Sequence, residues 1–376
     1  MKQIIGDSRD ASPAANAAFT SPVPSELTDF LSSDYDNLHL DLKANLTHFR
    51  TNFTPSSSPQ PWEQTFGKSP QTDELFMAYN YALYLDHISA SGRRVYPLPT
   101  FTNVWLNNSS SDRDPSLPAA AGGGFPGSYP SGGPLPNVID IWQKFAPSLE
   151  FIGPDIYLAD YEKICAKYRH RNQVLFIPEQ RSDEFGARRA WMAIGSYGAV
   201  GIAPFGIDSV TEEKDAFTRH YRLLSQIRFH ILKAHRKPGS SYGFFFDDLY
   251  ADGRDPSPAI TTSFGDWEVV ISRAFVFGKK GSGAGMIIRL DDGKEEKRAR
   301  FLLVGFGYQC KWRNTRTESV FTGLLSFTEM YGDVQTGELR RGRMLNGDES
   351  ESGKLVSCFV YLLSCDALQS MIEYDF

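Results

Sequence analysis

Cysteine is scarce in this sequence. Cys165, Cys310, Cys358 and Cys365 are its only four, and no two of them form a C-x-x-C pair. That spacing excludes a disulfide frame or a cysteine zinc site, and the four read as buried free thiols of a reducing compartment. Long apolar runs are missing: nowhere do eighteen apolar residues follow one another, so no segment reads as a membrane-spanning helix. Positive charge is not in excess. A formal net charge of −6 argues against general affinity for nucleic acid or an anionic membrane surface. A P-loop, a dinucleotide fingerprint, an EF-hand loop and an H-E-x-x-H pair are all lacking, so no cofactor and no metal is expected. His230 and His235 lie five apart beside Lys233 and Arg236 and read as a basic helix end. The triple glycine Gly122–Gly124 has no strand leading into it and reads as loop rather than phosphate cradle.

The start of the chain, Met1, Lys2 and Gln3 before a polar stretch, does not read as a secretory leader. Asn45, Asn52, Asn107 and Asn108 stand in N-x-[ST] sequons, usable only on export, and such sequons arise by chance in Ser/Thr-rich loops. A cytoplasmic location is expected over a secreted one.

What is present is 41% hydrophobic and 13% aromatic residues in 376, enough for one large domain and a smaller one. The pivotal stretch is Gln173–Gln180. Val174 to Ile177 is a continuous apolar run, as in a strand buried on both faces of a parallel sheet. Pro178 ends it, since proline cannot donate to a ladder. Glu179 is thereby placed at the C-terminal mouth of a strand, where α/β folds keep their chemistry, and is a candidate nucleophile. A helix N-cap or an ion pair is the competing use of that carboxylate.

Around it, strand and helix alternate. Residues 34–71 read as loop with a weak Leu38/Leu42/Leu46 stripe. Asp73–Ser89 reads as a helix with Leu75, Phe76, Tyr79, Leu83 and Ile88 near one face, closed by Gly92. Strands are expected at Thr100–Leu106, Leu149–Tyr157, Gln173–Pro178 and Ala199–Ile207. Helices are expected around Val138–Phe145, Tyr161–Tyr168 and Glu184–Tyr197, and from about Thr211 to Arg236. Four βα alternations imply a parallel sheet. Polar or aromatic groups end every strand: Asn103 and Trp105, Asp155 and Tyr157, Glu179, and Asp208. That is how the catalytic face of a (β/α) barrel looks in sequence. Past Gly239, strand-like runs at Trp267–Val276, Gly285–Leu290, Ala299–Gly305 and Val320–Phe327 suggest a β-sandwich. The expected class is thus α/β plus all-β: a partial TIM (β/α) barrel over 1–238, then a β-sandwich domain over 239–376. Residues 354–376 suggest no element.

Four segments in order carry a resemblance: Gly6–Asp10 with Ser12–Asn16; Tyr96–Pro99 with Asn103–Leu106; Tyr129–Pro134; and Pro154–Tyr157 with Phe176–Glu179. Together they resemble the β-galactosidase-like glycoside hydrolases of family 35, in the branch with a C-terminal β-sandwich, whose closing motif Leu345–Glu349 fits. The resemblance implies a TIM barrel and retaining cleavage of β-galactosides by two carboxyl groups about 5 Å apart. Glu179 would be the nucleophile, at the end of barrel strand seven. Asn103, Asp155 and Tyr157 would hold sugar hydroxyls or orient Glu179. Trp105 would stack on a sugar face, and Tyr129 would bind substrate from its loop. Core packing is the competing reading for Trp105, Tyr129 and Tyr157.

The resemblance also implies an acid/base Glu just before the segment matching Gly6–Asp10, yet Met1–Ile5 contains no carboxylate. Barrel strands one to four have no counterpart either. Weak or absent activity of the isolated chain is therefore expected, since general acid catalysis contributes about 10²–10⁴-fold. A catalytically dead carbohydrate-binding protein, or an incomplete gene product, is the alternative. The expected partners are a β-galactoside or oligosaccharide, with self-association through open barrel edges as a further expectation.

Overall fold

The computed structural model describes residues 6–54, 58–107, 122–209, 215–276, 279–290, 298–317, 319–346 and 359–369. They fall into two compact units, residues 1–180 and 181–376. Among them no helix is long and apolar enough to cross a membrane.

The first unit opens with short helices. Ser12 caps Pro13–Thr20 by accepting the amide of Ala15, with proline in the first turn, where its missing N–H costs nothing. The region expected to be loop, 34–71, instead holds helices Leu40–Asn45, Thr47–Asn52 and Trp62–Phe66. Its stripe of Leu38, Leu42 and Leu46 is buried. Helical spacing outweighed a loop-like composition there. A long helix then runs Pro70–Val95, capped by the Ser69 hydroxyl and passing through Gly92 rather than stopping at it. Leu75, Phe76 and Tyr79 are core, but Leu83 and Ile88, expected beside them, are exposed.

Strands β1 (Phe101–Trp105), β2 (Phe151–Ile156) and β3 (Phe176–Gln180) lie parallel and adjacent in that order. The β1–β2 register runs from Phe101 opposite Phe151 to Trp105 opposite Asp155. In β3 the strand begins later than expected. Val174 is exposed and Phe176 only half-buried, while Leu175 and Ile177 are fully buried, so the run is not covered on both faces. Pro178 lies inside the strand, and the recorded β2–β3 pairs, Asp155 with Glu179 and Ile156 with Gln180, come after it. Proline offers no amide to the ladder, so regular pairing resumes only past it. Phe101, Phe151 and Phe176 form a ring cluster with centroids 5.0–5.5 Å apart at the strands' N-terminal ends. Gly153 sits where β2 meets Pro178: a Cβ there would come within 2.9 Å of the proline Cδ.

The second unit starts with helix Glu184–Gly195, capped by Asp183, and strand β4 (Gly201–Pro204). The single helix expected over 211–236 is two, Ala216–Gln226 and Arg228–His235, parted at Ile227; residues 210–214 lie outside the described ones. Among the described residues eleven strands follow: β5 (Ser241–Phe246), β6 (Ile260–Phe264), β7 (Trp267–Arg273), β8 (Phe275–Val276), β9 (Lys279–Lys280), β10 (Gly283–Arg289), β11 (Arg298–Phe306), β12 (Tyr308–Asn314), β13 (Ser319–Gly332), β14 (Leu339–Met344) and β15 (Phe359–Gln369). The largest sheet has the order β14–β13–β15–β11–β10–β5, a second has β12–β7–β6, and all recorded pairs in both are antiparallel. The tail, which suggested no element, supplies β15 near the middle of the larger sheet.

Alternation along the strands builds two cores from one sheet. Ile287, Phe301 and Leu303 pack with Phe264, Trp267, Val269 and Ile271 of the smaller sheet. Their strand neighbours Met286, Ile288, Leu302 and Val304 face Trp191, Leu223, Ile227 and Ile231 of the helices. The boundary expected at 238/239 lies inside this packing unit. Composition turns strand-rich there, but the packing unit begins at Arg181 because those helices cover the sheet's second face.

Candidate active site

The C-terminal ends of β1, β2 and β3 bring five of the six expected residues together, and all of them belong to the first unit. Register sets Trp105 opposite Asp155 and Asp155 opposite Glu179, so the three share one row and one face. Asn103, two residues before Trp105, shares that face, and its Nδ2 donates to Asp155 Oδ2 at 3.1 Å. Tyr157, just past the end of β2, donates its hydroxyl to Glu179 Oε1 at 2.6 Å. Trp105, Tyr157 and Glu179 are half-buried.

Asp155 is only 7% exposed, and its Oδ1 is buried with no hydrogen-bond partner. Burial, and then the charge of Glu179, push its carboxyl up to about 7, against the donation from Asn103. A proton on Asp155 removes both the buried charge and the repulsion. Glu179 is held at one oxygen by Tyr157. Burial and the same carboxylate push the Tyr157 hydroxyl upward, so it remains a donor.

Tyr129 is placed elsewhere. It is 1% exposed and donates to Glu74 Oε2 at 3.0 Å. In this conformation it is an anchor of its loop. Glu74, fully buried, also accepts from Asn137 Nδ2 at 2.5 Å and from the Gly132 amide at 3.4 Å. Desolvation pushes it up to about 7 in spite of these three donors.

Sequence reasoning also missed polar groups of the second unit. Arg189 forms a double hydrogen bond with Asp247, and Arg188 bonds Asp248. Trp191 Nε1 donates to His220 Nδ1, so His220 Nε2 carries the proton and donates to Glu184 at 3.1 Å. The matching Arg-Arg and Asp-Asp doublets were a readable signal for the first set. No spacing rule links residues 184, 191 and 220. Among the described residues no cluster of His, Cys, Asp and Glu could hold a metal ion.

Residues 217–357 match the family described as domain of unknown function DUF5597, a C-terminal domain found in glycosidase-like proteins. The match begins in the helix Ala216–Gln226, so it includes most of that helix and Arg228–His235, but not Glu184–Gly195, as well as strands. No curated protein matches the chain.

Proposed function

We propose that this chain carries the nucleophile side of a retaining glycoside hydrolase of β-galactosidase type, as part of a (β/α) barrel whose strands five to seven are β1–β3, followed by a β-sandwich. The observation that supports it best is the Glu179 arrangement: a carboxylate at the C-terminal end of a parallel strand, held by Tyr157 and flanked by a carboxyl that favours its neutral form. A glycosidic nucleophile must be ionised and oriented while its second oxygen is left to attack C1. Asn103 and Trp105 share its face and would meet the sugar. The DUF5597 match is consistent with this reading, because that domain accompanies glycosidase-like chains.

The test separates the nucleophile from the acid. A 2-fluoro-β-galactoside with a dinitrophenolate leaving group needs no protonation to depart. Mass spectrometry of the treated chain should show one covalent adduct, on Glu179, and none in E179Q. Saturable galactoside binding with no adduct would favour the non-cleaving, carbohydrate-binding reading, for which the half-exposed Trp105 supplies a stacking surface. Neither adduct nor binding would end both.

A further inference from the structure

The polar atoms left without partners are not scattered evenly over the second unit. Three of them line one open cleft of about 570 Å³ where β12 passes into β13: Trp312 Nε1, Asn314 Nδ2 and Ser319 Oγ, each buried and unbonded. Asn314 is 5% exposed, and the orientation of its amide is fixed by its neighbour, because the Arg316 amide donates to its Oδ1 at 3.0 Å. Its acceptor is therefore used and its donor is left over. Trp312 can only donate. Thr322 Oγ1, also in the lining, already accepts the backbone N–H of Asn314 at 2.8 Å, which leaves its own hydrogen to donate elsewhere. Arg313 and Arg316 complete the wall, engaged with Glu268 at 2.8 Å and Asp266 at 2.7 Å. No carboxylate is among the described residues that line the cleft.

A buried donor left unbonded is costly, and several such donors facing one opening define what would relieve them. We propose that this cleft binds an oxyanion, a sulfate or carboxylate group, through Trp312, Asn314 and Ser319, with the two guanidinium groups at its wall. A neutral sugar hydroxyl brings its own hydrogen into a site already rich in donors. An oxyanion brings only acceptors, and bonds to a charged acceptor are the stronger kind. The site lies within the second unit and does not depend on the reading of Glu179.

Calorimetric titration of the full chain with sodium sulfate, sodium galacturonate and galactose, at matched ionic strength, tests it. Saturable binding of sulfate is expected. Binding of galacturonate as well would identify an acidic saccharide as a source of the group, and binding of sulfate alone a free inorganic ion; either supports the site. N314D keeps the acceptor for the Arg316 amide but replaces the donor by a negative oxygen, and should abolish binding. W312F and S319A, which each remove one donor with little change of shape, should weaken it about tenfold. E179Q should bind like the parent. Absence of saturable binding of both anions overturns the proposal. So does unchanged binding in W312F and S319A, or galactose binding as tightly as galacturonate.

Discussion

Asp155 illustrates how one side chain reports on the whole row. Its carboxyl moves from 3.8 to about 7 on folding, so between those values the folded chain holds a proton that the unfolded chain has lost. Stability from this group accordingly declines as pH rises through that window, the reverse of an ion-paired aspartate. D155N, which cannot ionise, should be more stable than the parent at pH 8 by about 1–2 kcal/mol in urea unfolding, a value discounted for partial solvent screening. The difference should shrink towards pH 4. Parallel pH profiles for the two proteins would show that Asp155 is not held neutral. The residues of this row are legible in the sequence, because polar side chains interrupting apolar strands stand out. Their hydrogen bonds were not: that Tyr157 serves Glu179, and Asn103 serves Asp155, follows from register, which strand pairing alone decides.

At the scale of elements, Glu74 fastens a loop to a helix. Tyr129, Gly132 and Asn137 all donate to it, so the Tyr129–Pro134 motif is a turn drawn onto the helix Pro70–Val95. Its carboxyl rises from 4.5 to about 7, so it too weakens the fold as pH climbs through that range. Asn137 Oδ1 has no partner, and an amide at position 74 could donate to it. E74Q should therefore match or exceed the parent in stability at pH 8. E74L strands three buried donors and should lose about 2–4 kcal/mol. Equal thermal unfolding of E74L and the parent would refute the clamp. Reading the elements from sequence succeeded where periodicity was clean, as in Tyr161–Tyr168, which folds as expected. It failed over 34–71, where short helices are held by tertiary burial of three leucines rather than by propensity. It failed also at Leu83 and Ile88, because spacing shows which residues share a face but not whether anything covers it.

For the whole molecule, the lesson is that composition and packing divide the chain at different places. The strand-rich text begins near Gly239, yet Trp191, Leu223 and Ile231 cover the sheet face formed by Met286, Leu302 and Val304. A fragment of residues 181–376 should unfold in one cooperative transition. A fragment of 239–376 leaves that face bare and should bind a hydrophobic dye and aggregate. Cooperative unfolding of the shorter fragment, with no dye uptake, would show that the helices are dispensable.

Where β2 passes Pro178, the backbone of Gly153 leaves no space for even one added carbon. Alanine there would act as a wedge, prying the two strands apart just before the paired acids. The gap between Asp155 and Glu179 is thus gauged by a single hydrogen atom two positions upstream, on a residue with no chemistry of its own.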